Sequence, residues 1–107
     1  MATTQALAST EPNAVTVTDI YTGAGSKLTT VRVLVTNKGA SDLKYRLSIA
    51  PLGAGDADVQ YFVYDETLNA NGSASSPPLV LAPTDVIRAR TDIATLIVTV
   101  IGIQVDA

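Results

Sequence analysis

The groups that most often carry proton transfer, nucleophilic attack and metal binding are missing, because the 107 residues include no histidine and no cysteine. That removes the side chain that titrates near neutrality, the most reactive nucleophile and most transition-metal sites together. Carboxylates remain. Asp56 and Asp58 in "GAGDAD" offer alternating oxygens to calcium, but the further acidic positions and closing glutamate of an EF-hand are absent. A solvated turn, where Asp is favoured by turn chemistry, explains them as simply. Asp65 or Glu66 with Asp85 would supply the two carboxylates of a glycosidase, in a chain short of the aromatic platforms such a cleft uses. Tyr21, Tyr61, Phe62 and Tyr64 are the aromatic candidates for a sugar surface, beside a core-facing Tyr45. Arg88 and Arg90 share a strand parity, so two guanidinium groups on one face either meet acidic groups of a partner or form the wet side of a strand. Asn71-Gly72-Ser73 fits a glycosylation acceptor and equally a turn. No catalytic residue, cofactor or metal ligand is expected, and the chain is expected not to be an enzyme.

The elements that must position these groups are strands. "AVTVTDIYT" (14–22) alternates, with Val15, Val17 and Tyr21 on one parity. "LTTVRVLVTN" (28–37) places Val31, Val33 and Val35 on one face and Arg32 and Thr36 on the other. "LKYRLSI" (43–49) has the cleanest period of two, with Leu43, Tyr45, Leu47 and Ile49 inward and Lys44, Arg46 and Ser48 outward. Residues 59–68, 79–83 and 85–91 continue the pattern, and "IATLIVTVIGIQV" (93–105) ends it. Turns are expected at 23–25, 37–42, 50–58 and 69–78, where Gly, Asn, Asp and Pro gather. Pro77 and Pro78 restrict their surroundings to an edge or a loop. No segment carries a helical period. The expectation is an all-β fold, an antiparallel two-layer β-sandwich of jelly-roll or immunoglobulin-like topology with about seven or eight short strands. Residues 1–13 read as a flexible or extended amino-terminal arm and 14–107 as a single sandwich domain.

Composition agrees. The chain is 47% apolar with no Trp and one Phe, so β-branched residues must build the core, as suits strands. The net charge of −3 is spread without a basic cluster, which argues against nucleic acid and an anionic membrane surface. "MATTQALASTEPNA" lacks the basic start and apolar block of a signal peptide, so synthesis in a cytoplasm is expected.

The last strand poses the sharpest question, since Ile93–Val105 is thirteen residues without a charge. It is too short for a spanning helix, which needs about twenty apolar residues, and it is rich in β-branched side chains. Yet it does not alternate: Leu96, Val98 and Val100 hold one parity and Ile97, Ile101 and Ile103 the other. A strand apolar on both faces is covered on both or meets another protein, and a two-layer sandwich leaves its outer faces open. These six residues, with Arg88 and Arg90, are therefore the candidate interface. Cover by the amino-terminal arm or by the 50–58 loop is the competing explanation.

"VRVLVTNKGASDLKYRLSIAPLGAG", followed by "YDETLNANGSASSPPLVLAPTDVIRAR" and the glycine-containing close "VIGIQV", is a succession that resembles small β-sandwich virion proteins of tailed bacteriophages, including capsid cement (decoration) proteins. The similarity spans roughly residues 14 to 105 and is one of pattern. It departs at Pro83-Thr84-Asp85, where Pro-Gly-Asp would be expected, so the turn before Val86 is made without glycine. The resemblance implies a structural role on the capsid surface of a virion. The chain would be a homo-oligomer, commonly a trimer, bound to the major capsid protein and stabilising the assembled shell by mass action. A neck, tail or fibre component with the same sandwich is the neighbouring alternative, and a carbohydrate-binding module a more distant one.

Overall fold

The computed structural model describes residues 5–23, 25–55, 57 and 60–106. Nine strands are present among them: β1 (Gln5–Thr10), β2 (Thr18–Thr22), β3 (Lys27–Asn37), β4 (Leu43–Ala50), β5 (Tyr61–Leu68), β6 (Ser73–Ser75), β7 (Leu79–Leu81), β8 (Val86–Thr91) and β9 (Leu96–Asp106). A 3₁₀ turn spans Pro51–Gly53. One sheet has the order β1-β9-β3-β6, with β7 also pairing with β3, and the other has the order β2-β8-β4-β5. All strand pairings are antiparallel.

This order follows from folding one long hairpin and rolling it up. The β4–β5 pair lies at the closed end, β3 faces β6 and β7, β2 faces β8, and β1 faces β9. Rolling brings β9 beside β3 and β8 beside β4, which divides the arms between two layers. That is the jelly-roll arrangement of a β-sandwich.

The core forms where the expected parities point. Val31, Val33 and Val35 from β3 are at most 1% exposed. They meet Leu43, Tyr45 and Leu47 from β4 and Ile87 and Ala89 from β8 between the layers. Burying each such aliphatic side chain is worth roughly 1.5–3 kcal/mol, which offsets the ordering of the chain.

Asn37, at the end of β3, is fully buried and acts as a polar clamp. Its Nδ2 donates to the carbonyls of Ser41 (2.8 Å), Leu68 (3.2 Å) and Asn69 (3.3 Å). Its Oδ1 accepts from the Gly39 N–H (3.0 Å) and the Thr95 hydroxyl (2.9 Å). One amide thereby satisfies backbone groups of two connections and a side-chain hydroxyl of a third.

Two expectations are corrected and a third is made specific. Residues 14–17 do not extend β2: Val15 has φ +56° and donates its N–H to Thr91 O. The chain turns there, leaving Val15 and Val17 exposed while Ile20 takes the core position. Within 69–78, read as a loop, Ser73–Ser75 pairs with Leu34–Thr36 of β3. Ser and Ala have weak strand preference, so the pairing is imposed by the neighbour, and the Val33 N–H donates to Ser76 Oγ alongside it (2.9 Å). Finally, Gln5–Thr10 of the expected arm forms an edge strand paired within the same chain to β9.

Candidate functional site

The eight candidate interface residues fall in three different places. Leu96, Val98 and Val100 are fully buried in the core, so they are not interface residues. They point inward because β9 lies between β1 and β3, with that parity facing the second sheet. Ile97, Ile101 and Ile103 take the opposite parity and lie on the outer face of the first sheet, where they are half-buried. Arg88 and Arg90 belong to the outer face of the other sheet.

The first sheet's outer face is built mainly by β3 and β9. Their register sets Leu28 against Val105, Thr30 against Ile103, Arg32 against Ile101, Leu34 against Thr99 and Thr36 against Ile97. On β7, Val80 stands opposite Thr30. Leu28, Val80 and Val105 are 41%, 65% and 48% exposed. Arg32 is the charged side chain in this register, and it makes no hydrogen bond or ion pair with another described residue. A shallow depression of about 170 Å³ lies there, lined by Thr30, Arg32, Pro78, Ile101 and Ile103 among others. Gly102 contributes to its floor, because the backbones of β9 and β3 approach so closely that a Cβ at this position would overlap the Thr30 carbonyl oxygen.

Among the described residues, neither competing cover lies over this face. The amino-terminal segment runs beside it as β1, and the Pro51–Gly53 turn packs on β8 of the second sheet. The answer to the uncharged last strand is thus half core and half exposed apolar surface.

The second sheet's outer face is charged. Arg88 donates from Nε to Asp19 Oδ1 (2.8 Å) and from Nη1 to Ala54 O (2.6 Å), so it is held within the chain. Arg46 grips Asp65 with two bonds, Nε to Oδ1 at 2.7 Å and Nη2 to Oδ2 at 3.1 Å. Its guanidinium lies 4.0 Å from the Tyr64 ring centre and 5.9 Å from that of Tyr61, and the two rings meet edge to face at 5.3 Å. The hydrogen bond from Arg46 holds the Asp65 carboxyl below its ordinary pKa, partly opposed by desolvation and helped by the charges of Arg46, Arg90 and Lys44. Sequence reasoning did not gather this cluster. Its signal, Arg46 outward on a clean strand, was legible, but the irregular β5 register that brings Asp65 over it was not.

The remaining acidic candidates separate. Asp85 is a structural bracket: its Oδ1 accepts the Leu52 N–H and its Oδ2 the Ala82 N–H, both at 3.0 Å. Asp65 is engaged with Arg46, whereas Glu66, the alternative partner to Asp85, makes no hydrogen bond or ion pair with another described residue. Asp56 and Asp58 lie outside the described residues. Among the described residues no group of three or more potential metal ligands gathers, and no helix is long and apolar enough to cross a membrane. Asn71, with φ +58°, occupies a turn closed by the Gly72 N–H on Asn69 O.

Compared with models of known protein families, with curated proteins and with solved structures, the chain matches none. What the coordinates define is a jelly-roll sandwich with one apolar and one charged outer face.

Proposed function

We propose that this chain is a non-enzymatic structural protein of a bacteriophage virion, of the capsid cement type. It associates with copies of itself through the outer face of the first sheet and binds the outside of the shell formed by the major capsid protein. The observation that carries the self-association is the apolar side of β3, β7 and β9. Eleven-residue β3 and β9 span about 37 Å side by side, and six-residue β1 with three-residue β6 and β7 flank them, giving a face of roughly 550 Å². A standard interface buries about 800 Å² per partner, so this face supplies about two thirds of what a stable pairing needs. A second copy suits it because it brings the same surplus of apolar surface, and a closed ring buries that surface on every copy. The similarity of residues 14 to 105 to small phage sandwich proteins supplies the virion setting, and a trimer is the assembly it suggests.

A neck, tail or fibre component would use the same sandwich. The sugar-binding reading is weakened because the Tyr64 ring is already stacked against Arg46.

Quantitative mass spectrometry of purified virions tests the proposal. A copy number of the same order as the major capsid protein supports cement. A far lower number moves the chain to the neck or tail, and absence from particles removes the virion reading. Sedimentation of the purified protein over a range of concentrations tests the self-association separately, and a monomer throughout would overturn it.

A further inference from the structure

The second sheet holds four of the chain's seven basic residues, Lys44, Arg46, Arg88 and Arg90, on its outer face. Two are satisfied within the chain: Arg88 by Asp19 and the Ala54 carbonyl, Arg46 by Asp65. The other two are not. Arg90 is the direct cross-strand partner of Arg46, and Lys44 lies two residues along β4 on the same side. Neither side chain makes a hydrogen bond or ion pair with another described residue. Both act on the same carboxylate from a distance, since their charges help to lower the Asp65 pKa.

Such an arrangement carries a cost in the isolated chain. Like charges directly opposite on neighbouring strands repel, and here Arg46 and Arg90 are so placed. Asp65 is gripped by the Arg46 fork, while Asp92 accepts the Lys44 backbone N–H (2.9 Å) and Glu66 follows Asp65 on β5. Asp65 reaches that position only because β5 slips register against β4 between the Tyr45 and Leu47 pairings. It does so with φ +52°, a conformation that disfavours a non-glycine residue. Backbone strain and like charges set directly opposite each other in one place are features of surfaces shaped for a ligand more than for stability. The stacking of Tyr64 on Arg46 fixes the first guanidinium, leaving Arg90 as the adaptable fork beside it.

We propose that this surface binds carboxylate side chains of an acidic segment of a partner protein, with Arg90 and Lys44 as the contacting cations beside the Arg46–Asp65 pair. Arg90 offers the planar fork that matches a carboxylate, and Lys44 a mobile point charge. The chemistry fits discrete carboxylates better than a continuous polyphosphate. The chain's net charge is −3, and Asp19 and Asp65 interrupt the basic surface, so a polyanion is repelled where separate carboxylates fit between. The site lies on the sheet opposite the proposed self-association face and does not depend on it.

The test is a titration of the ¹⁵N-labelled full chain with a short peptide of four glutamates flanked by Gly and Ser, at low salt and at physiological salt. The expected result is a saturable, salt-weakened shift of the amide signals around Lys44, Arg46 and Arg90. Arg90→Gln together with Lys44→Gln should weaken binding about tenfold or more. Lys27→Gln with Lys38→Gln, which removes the same charge elsewhere, should retain it, as should Ile101→Asp on the other sheet. Unchanged circular dichroism melting identifies variants that remain folded. Loss of binding in Ile101→Asp would tie the site to the self-association face and overturn its independence. The proposal itself fails if the peptide shifts no signals, if the Lys27/Lys38 pair loses binding equally, or if a single-stranded oligonucleotide of equal charge binds more tightly.

Discussion

The two outer faces of this sandwich are made by the same alternation and differ almost completely in chemistry. On the first sheet, the side chains opposite the core are Leu28, Leu34, Ile97, Ile101, Ile103 and Val105, with Thr30, Thr36, Thr99 and Arg32 among them. On the second they are Lys44, Arg46, Arg88 and Arg90, balanced in part by Asp19 and Asp65. Each sheet needs only one apolar face to close the core. The second sheet meets that requirement and spends its other face on solvent and ions, while the first exceeds it. Surplus apolar surface on a small domain contributes nothing to the fold of a single copy, which is why it points to a partner.

The largest effect should come from the boundary between core and first face, on a single strand. Leu96→Ala is expected to lower unfolding free energy by about 3 kcal/mol, the cost of a large core cavity, whereas Ile97→Ala next to it should cost under about 1 kcal/mol in the monomer. Denaturant titrations of both would dissolve the distinction if the two losses were equal.

Next comes the contrast between the faces themselves. Ile101→Asp should weaken self-association about a hundredfold, since each copy would bring an unpaired charge to an apolar contact. Arg90→Asp should leave sedimentation unchanged. A shift with Arg90→Asp and none with Ile101→Asp would reverse the assignment of the faces.

Gly102→Ala sharpens the account of how the first face is supported. The added methyl meets the Thr30 carbonyl, so β3 and β9 must separate, at an expected cost of about 1–3 kcal/mol in thermal or chemical unfolding. Thr84→Gly should act in the other direction. Thr84 holds φ +68° in the turn before β8, and glycine there relieves a left-handed β-branched residue, for a gain of up to about 1 kcal/mol. A lower melting temperature would mean that the hydroxyl or methyl has a contact that outweighs the strain.

The smallest effect belongs to the second face and depends on pH. Asp65 has its pKa lowered from 3.8 in the folded chain, first by its hydrogen bond from Arg46. Its contribution to stability is therefore complete above that unfolded-state value and is lost as pH falls through the lower folded-state value. Asp65→Asn should flatten the acid side of the stability profile. Tyr45 works in the opposite sense at the alkaline end. Burial, and then the charge of Glu66, raises its pKa above 10.0, so its contribution is present below pH 10 and declines as the pH rises through the folded-state value. Tyr45→Phe should remove that alkaline loss.

Much of this was legible in the sequence. Val31, Val33 and Val35 on β3 and Leu43, Tyr45 and Leu47 on β4 announce their inward direction through a period of two. The doubly apolar pattern of the last strand marked it as unusual. What could not be read was how its two parities divide: Leu96, Val98 and Val100 went to the core and only Ile97, Ile101 and Ile103 to the surface, where β3 and β7 add Leu28, Leu34 and Val80. Arg88 and Arg90 looked equivalent by spacing. The structure ties Arg88 to Asp19 and the Ala54 carbonyl and leaves Arg90 facing Arg46.

The sequence alone determined the strands other than β1 and β6, the two-layer class and the absence of histidine and cysteine chemistry, because side-chain alternation and composition are local properties that a pleated segment with a clear pattern reveals. Tertiary structure decided the rolled strand order, the covered parity of β9 and the gathering of Lys44, Arg46, Asp65 and Arg90. Each of these depends on pairing residues far apart in the chain. Such pairings are settled by which faces exclude water together, and in β5 by a slip of register that no run of residues announces.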